Sequence, residues 1–187
     1  VHTFAAALKA EDFREILEVS NHVSFNSFNQ LERFRPLWEK ENGRVSVGLR
    51  VNPDHSEGTT PLYDPCVPKS RLGIQREQFD GRSLNGVEGL HFHTLCEQLF
   101  EPLDRTAQVF EEKFGGFLHG MKWLNLGGGH HITRHGYDID GLYRLIHHFQ
   151  EHYGVEVYLE PGEAVVIGSG ILTAEVLDVV RNEMEIA

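Results

Sequence analysis

Three successive glycines, Gly127–Gly129, separate a short apolar run from a segment with helical spacing. A glycine turn lets the backbone approach a ligand closely, because no Cβ is in the way and positive φ angles are open to it. The N–H groups at such a turn form a concavity suited to phosphate. The spacing matches neither GxGxxG nor GxxxxGKS/T, so neither nucleotide motif is supported. For the glycines alone, a flexible turn is the alternative interpretation.

Two histidines, His91 and His93, end another β-rich run, and strand alternation places both on one face with Phe92 on the other. Such a pair can bind zinc, with His130–His131 and Glu160 available as further ligands. Packing or polar capping is the more common role of a strand histidine. A metal-dependent barrel hydrolase therefore stands as an alternative enzyme.

Glu160 ends a third β-rich run and is followed by Pro161 and Gly162. In this sequence a proline fixes a carboxylate at a strand end, and a glycine next to it permits close approach of a ligand. An ordinary turn is the alternative. Cys96 lies three residues after His93, but a Cys–His nucleophile needs a third partner and none is evident.

The elements that must position these residues alternate between strand and helix. Strands are predicted over 1–8, 21–27, 45–51, 87–94, 122–128 and 155–160, and helices over 11–19, 28–40, 75–80, 103–114 and 140–153. Alternation of this kind predicts a parallel α/β sheet, either doubly wound or a (β/α) barrel. The chemically capable residues follow the carboxyl ends of predicted strands, where barrel enzymes build their active sites.

Two segments depart from this alternation. Residues 52–69 form a long polar loop with four of the seven prolines, and loops of this length are usually functional or disordered. After Glu160 no helix is convincing, and a β-rich run over 171–180 predicts the start of another domain. The chain is therefore divided into a partial barrel, 1–165, and the beginning of a truncated C-terminal β domain, 166–187.

The amino-acid composition and the net charge disfavour some classes of binding partner. With 187 residues and 40% hydrophobic content, the chain can bury a sizeable core. The formal net charge of -11 disfavours nucleic acid and anionic membranes and is compatible with a cationic partner, although on charge alone a solvated acidic surface is the more common explanation. Two cysteines without metal-ligand spacing indicate a reducing compartment, hence the cytoplasm. No apolar run reaches the roughly 18 residues that a membrane span requires.

Three segments, in this order, resemble the carboxynorspermidine (carboxyspermidine) decarboxylases: GLHFHTLCEQ (89–98), LNLGGGHHIT (124–133) and YLEPGEA (158–164). SRLGI (70–74), VGLRVNP (47–53) and FNSFNQLERF (25–34) fit the same pattern, so the resemblance covers essentially the whole chain. That family belongs to the alanine-racemase-like, fold type III decarboxylases that use pyridoxal 5'-phosphate (PLP). The resemblance implies a (β/α)8 TIM-type barrel with about six of its eight strands in this chain, a C-terminal β domain, and a homodimer with shared active sites.

The resemblance also implies an activity and a set of cofactor-binding residues. The family removes CO2 from carboxynorspermidine or carboxyspermidine, giving norspermidine or spermidine in polyamine biosynthesis. By resemblance, Gly127–Gly129 and Gly162 hold the PLP phosphate, and Arg50 supports the cofactor from below. Cys96 falls where related decarboxylases carry a small polar residue near the phosphate.

Two catalytic residues follow from the same resemblance, and a departure from related decarboxylases suggests where the substrate binds. Glu160 is expected to hydrogen-bond the pyridine nitrogen and His93 to stack on the cofactor ring. Glu163 stands where decarboxylases of ornithine or diaminopimelate commonly have arginine. We expect Glu163 and His131 to contact a cationic polyamine substrate, although the sequence does not distinguish its two forms.

One family residue has no counterpart here. The lysine that binds PLP covalently ends the first barrel strand of the family, upstream of every motif in this chain. Lys9 resembles that lysine superficially, but HTFAAALKAEDF fits a later unit and the spacing to His93 is too short. The chain also begins and ends within apparent strands, so the sequence predicts a fragment that does not decarboxylate alone. A catalytically inactive PLP-binding module is the non-enzymatic alternative.

Overall fold

The computed structural model describes residues 1–187, which are organised around a six-stranded, all-parallel sheet. Its strands are β1 (His2–Phe4), β2 (His22–Phe25), β3 (Ser46–Arg50), β4 (Gly89–His91), β5 (Trp123–Asn125) and β6 (Glu156–Tyr158). They pair strictly in chain order, each parallel to the next. A doubly wound sheet reverses its strand order at a switch point, and this sheet has no reversal.

The sheet curls into half of a barrel. His2 on β1 and Tyr158 on β6 lie at opposite edges of the sheet, yet their ring centroids are only 4.3 Å apart. Strong curvature of this kind brings the first and last strands toward each other around a common interior. The predicted (β/α)-barrel fold with six strands is therefore confirmed.

The helices cover the outer face of the sheet. They are α1 (Phe13–Val19), α2 (Phe28–Trp38), α3 (Phe100–Leu118) and α4 (Ile139–Tyr153), with a short α5 (Gly162–Val166) after the last barrel strand. Ser27 caps α2 by accepting from the Gln30 N–H, and Asp138 caps α4 by accepting from the Gly141 N–H. The helix predicted over 75–80 is a single 3-10 turn, Arg76–Phe79.

The core between sheet and helices is one cluster of 33 buried apolar residues. It includes Phe110 of α3, Phe149 of α4 and Phe92 just beyond β4, each 0% exposed. Phe92 packs on Phe110 with ring centroids 4.9 Å apart. The outer face of β4 is thereby fixed in the core, so the flanking histidines must face the barrel interior.

Trp123 fills the barrel interior beside two glycines of neighbouring strands. A Cβ at Gly48 would lie 2.3 Å from Trp123 Cη2, and a Cβ at Gly89 would lie 2.0 Å from Trp123 Cδ2. The indole Nε1 donates to Ser46 Oγ at 2.8 Å. The two glycines thus provide the space that the indole occupies, and the interior beneath the strand ends is filled with side chains.

The C-terminal segment departs from the sequence-based expectation. The strand predicted over 171–180 is wrong for nearly all of that range, which is irregular up to Val179. An antiparallel hairpin follows, β7 (Val180–Asn182) and β8 (Met184–Ile186), and α5 was not predicted at all. Strand formation requires a partner, whereas Ile171 and Leu172 are 92% and 95% exposed. The domain boundary at 165/166 stays a prediction.

No helix of the structure combines the length and the apolar character that crossing a membrane would require.

Candidate active site

Five of the residues singled out in the sequence meet at the carboxyl-end rim of the sheet. Arg50, the last residue of β3, donates from its guanidinium to the His93 carbonyl at 3.0 Å. The Gly128 N–H donates to His93 Nδ1 at 3.1 Å, and the Glu160 N–H donates to the Gly127 carbonyl at 2.8 Å. Segments following β4, β5 and β6 are therefore tied to one another by hydrogen bonds.

The glycine turn is packed too tightly for any side chain. A Cβ at Gly128 would lie 1.9 Å from the Glu160 carbonyl oxygen, and one at Gly129 would lie 2.0 Å from the Leu95 carbonyl oxygen. Gly127 and Gly129 also have φ angles of +70° and +80°. Because the opposing atoms belong to backbone, a larger residue would have to displace the turn or its neighbours.

The N–H groups of this turn are not all available to a ligand. The Gly127 N–H donates to Asn125 Oδ1, and the Gly128 N–H donates to His93. The N–H groups of Gly129 and His130 have no acceptor within the chain. The anion-binding part of the turn therefore lies one residue further along than the glycine triplet suggests.

The carboxylate of Glu160 is anchored from two sides. Oε1 accepts from Asn125 Nδ2 at 2.9 Å, and Oε2 lies 3.6 Å from His91 Nε2. Burial alone would raise the pKa of Glu160, but the contacts with His91 and Asn125 outweigh it and lower the pKa to about 2. The group is thus ionised at neutral pH, and its side chain keeps 35% exposure for a ligand.

The two histidines of the H-x-H motif differ in accessibility. His91 is 1% exposed, and burial lowers its pKa. His93 is half-buried, and burial, together with the charge of Arg50, lowers its pKa to about 4. A backbone N–H can only donate, so the Gly128 bond leaves the His93 proton on Nε2.

Arg50 is a buried cation beneath this rim. Its side chain lies over the Phe4 ring, with the guanidinium carbon 4.3 Å from the centroid, and the residue is 5% exposed. Burial lowers its pKa to about 10, which still leaves it protonated at neutral pH. Its contact with the His93 carbonyl makes it a support for the histidine segment.

The two residues predicted to contact substrate lie against each other. His131 Nε2 is 3.3 Å from Glu163 Oε2, with side-chain exposures of 7% and 49%. His131 follows the glycine turn, whereas Glu163 lies in the first turn of α5. Gly162 begins that helix, its N–H donates to the Glu160 carbonyl at 2.8 Å, and a Cβ there would meet nothing within 4 Å.

Other predicted groups are not brought into a reactive arrangement. Cys96 is exposed and its thiol contacts no histidine, although its backbone N–H abuts Gly129. Lys9 is exposed, pairs with Glu11 at 3.6 Å and makes no hydrogen bond to a site residue. No three His, Cys, Asp or Glu side chains are arranged to hold a metal ion, so the hydrolase alternative lacks a ligand set.

The contacts of two buried polar residues were missed by sequence reasoning. Asn125 is 1% exposed and bonds both Glu160 and Gly127. His130 is 2% exposed, and its Nδ1 is 2.7 Å from the Tyr137 hydroxyl. A polar residue inside the apolar run of β5 was a usable signal for Asn125, whereas nothing local marked the Tyr137 contact.

The largest cavity lies away from this rim. It measures about 550 Å³ and is bordered by the start of α2 and the segment 70–82, and none of the rim residues described in this subsection lines it. Its lining is mostly polar and open, whereas ligand sites are typically concave and largely apolar. The convergence of charged and backbone groups identifies the candidate site better than cavity size does.

Known proteins are similar to this chain in sequence and in fold. No protein-family model matches the chain. It is 46% identical to a carboxynorspermidine/carboxyspermidine decarboxylase of Campylobacter jejuni, over 100% of the chain and 48% of that protein. It is 38% identical to a carboxyaminopropylagmatine decarboxylase of Synechocystis sp., over 97% of the chain and 47% of that protein.

A solved structure matches as well. The crystal structure of carboxynorspermidine decarboxylase from Campylobacter jejuni, complexed with norspermidine, superposes with a TM-score of 0.80 at 43% identity. The superposition covers 98% of this chain and 46% of that one. The chain thus spans about half the length of the relatives it matches.

Proposed function

Because the chain belongs to the family of the carboxynorspermidine/carboxyspermidine decarboxylases, we propose that it provides the cofactor-facing side of a PLP-dependent decarboxylase. Members of this family are PLP-dependent decarboxylases. The proposed reaction releases CO2 from carboxynorspermidine or carboxyspermidine and forms norspermidine or spermidine. One observation carries the proposal: an ionised, partly exposed carboxylate is hydrogen-bonded into the same strand-end rim as a glycine turn with free N–H groups.

The residues at this rim fit PLP at both of its polar ends. The Glu160 carboxylate can accept a hydrogen bond from a protonated pyridine nitrogen, and its low pKa keeps it anionic. The free N–H groups of Gly129 and His130 can donate to a phosphate. When bound, PLP supplies the electron sink for the charge that loss of CO2 leaves behind.

The remaining site residues support these two contacts. His93 presents a neutral imidazole held by Gly128, and we assign it to stacking on the cofactor ring. Arg50 fixes the carbonyl of the same histidine from beneath. Cys96 and Gly162 are assigned to the surroundings of the phosphate, since their backbones adjoin the glycine turn and Glu160.

The assembly is proposed on the same basis. We propose a homodimer with shared active sites in the cytoplasm, with residues 166–187 opening a C-terminal β domain. Both cysteines are free, as expected for a reducing compartment. The apolar side chains of this segment, among them Leu172 and Leu177 at 95% and 88% exposure, would then be covered by further protein.

Covalent trapping of the cofactor tests the proposed function. Borohydride reduction of the intact protein with PLP is expected to add one reduced cofactor to a lysine outside residues 1–187, as measured by intact mass and peptide mapping. An adduct on Lys9 would overturn our assignment of the strands. Reversible PLP binding without an adduct would indicate the inactive module, and stoichiometric zinc without PLP would indicate the hydrolase.

Substrate recognition gives a second expectation. Replacing Glu163 by arginine reverses the charge that faces a polyamine and is expected to raise the substrate KM by about tenfold or more, since hydrogen bonds to charged groups contribute about 1.5–3 kcal/mol. Steady-state kinetics of the intact enzyme measure the KM of the variant and of the wild type. Glu151→Arg, an equal charge change at the exposed surface of α4, serves as the control. An unchanged KM in Glu163→Arg would contradict this assignment.

A further inference from the structure

Asn125, the last residue of β5, uses both amide hydrogens and the amide oxygen of its side chain in hydrogen bonds. Nδ2 donates to Glu160 Oε1 at 2.9 Å and to His2 Nδ1 at 3.2 Å, and Oδ1 accepts from the Gly127 N–H at 2.8 Å. The residue is 1% exposed. A buried amide with both donors and its acceptor engaged has a single orientation, because any rotation would leave polar groups unpaired.

These contacts close a ring of hydrogen bonds. The Asn125 amide donates to the Glu160 carboxylate, the Glu160 N–H donates to the Gly127 carbonyl, and the Gly127 N–H donates to Asn125 Oδ1. One carboxylate and one turn are thereby held by the same side chain. The bond to His2 extends the ring to β1 at the far edge of the sheet.

The amide makes the only side-chain hydrogen bond to Glu160 in the structure. The second neighbour, His91 Nε2, is 3.6 Å away, beyond hydrogen-bonding range. An aspartate of nearly the same shape would accept from Gly127 but could not donate to Glu160, and it would bring a second carboxylate into contact. Two carboxylates in contact share a proton, because one of their pKa values is strongly raised.

We propose that Asn125 is a positioning residue: its amide fixes the Glu160 carboxylate relative to the glycine turn without placing a second negative charge against it. The pyridine nitrogen and the phosphate of PLP would then contact Glu160 and the glycine turn, whose separation is fixed. This inference rests on the proposed function, and it assigns to Asn125 a role that acts only through Glu160 and Gly127. Outer partners of this kind commonly change binding or activity by about 10- to 100-fold when removed.

The test compares two asparagine-to-aspartate variants of the intact protein. Asn125→Asp removes the donors to Glu160. Asn52→Asp is the matched control, since Asn52 is also buried, donates to the carbonyls of Pro65 and Leu72, and accepts from a backbone N–H. The first readout needs no cofactor: ¹³C NMR of glutamate carboxyl groups against pH, with the Glu160 signal identified by its loss in Glu160→Gln. The second readout is the PLP dissociation constant.

In the wild type, the Glu160 signal should be constant between about pH 4 and pH 8, because its pKa is held near 2. In Asn125→Asp we expect a carboxyl titration inside that window and PLP binding weakened about tenfold or more. Asn52→Asp should match the wild type in both readouts. A flat Glu160 signal and unchanged PLP affinity in Asn125→Asp overturn the inference.

A neutral variant provides a second test in case Asn125→Asp does not fold. Asn125→Ser retains a small hydroxyl and introduces no charge, and we expect it to weaken PLP binding while leaving Glu160 ionised above about pH 4. PLP affinity equal to that of the wild type in this variant also overturns the inference. A wild-type protein that does not bind PLP overturns the proposed function instead, and the NMR titration still reports on Asn125.

Discussion

Replacing Glu160 by glutamine is expected to lower kcat by about 100-fold or more, the loss typical of removing one preorganised electrostatic contact at a reacting group. The amide has nearly the same shape but carries no negative charge, so it cannot hold a proton on the pyridine nitrogen. Contacts with His91 and Asn125 hold the pKa of Glu160 near 2, so the carboxylate is ionised at neutral pH. Steady-state decarboxylation and the absorbance spectrum of bound PLP measure the effect.

A control for this substitution is available on β6, the strand that precedes Glu160. Glu156 is exposed and accepts from the Tyr158 hydroxyl at 2.6 Å, away from the carboxyl-end rim. Glu156→Gln makes the same chemical change and should leave kcat unchanged. Comparable kcat values for Glu160→Gln and Glu156→Gln would contradict the role of Glu160 in the proposed reaction.

Alanine at Gly128 is expected to weaken PLP binding about tenfold or more and to destabilise the fold by about 1–3 kcal/mol, as overpacking of a filled site does. The added Cβ would lie 1.9 Å from the Glu160 carbonyl oxygen, which is backbone and cannot swing away. The turn and the strand end that carries Glu160 must therefore separate. Urea unfolding and PLP titration measure the two effects.

Gly116 provides the matched control for that substitution. It lies on α3, and a Cβ there would meet nothing within 4 Å. Since alanine favours a helix over glycine by about 0.8–1.0 kcal/mol, Gly116→Ala should be neutral or stabilising and should bind PLP normally. If Gly128→Ala behaved in the same way, the close packing of the turn would have no role in binding.

The barrel and its rim could be predicted from the sequence because both depend on local patterns. Strand and helix periodicity gave the alternation, and the polar residues Arg50, His93 and Glu160 each lie within two residues after or at the end of an observed strand. The strands themselves are shorter than predicted. Resemblance to a family, rather than periodicity, assigned the roles.

The features that escaped prediction depend on distant contacts. Asn125 bonds Glu160, 35 residues away, and His2, 123 residues away. No local pattern encodes such separations. The prediction of a strand over 171–180 was wrong for the opposite reason. These residues favour strands locally, but side chains such as Ile171 have no neighbouring surface to pair with or pack against.

The open sheet has a consequence for handling this chain in solution. β1 and β6 each have a strand partner on one side only, so each leaves a row of backbone N–H and C=O groups unsatisfied by the sheet. Unprotected strand edges act as templates on which other chains add, which leads to aggregation. Concentration-dependent self-association of residues 1–187 produced alone would thus reflect these two edges and would not report the oligomeric state of the enzyme.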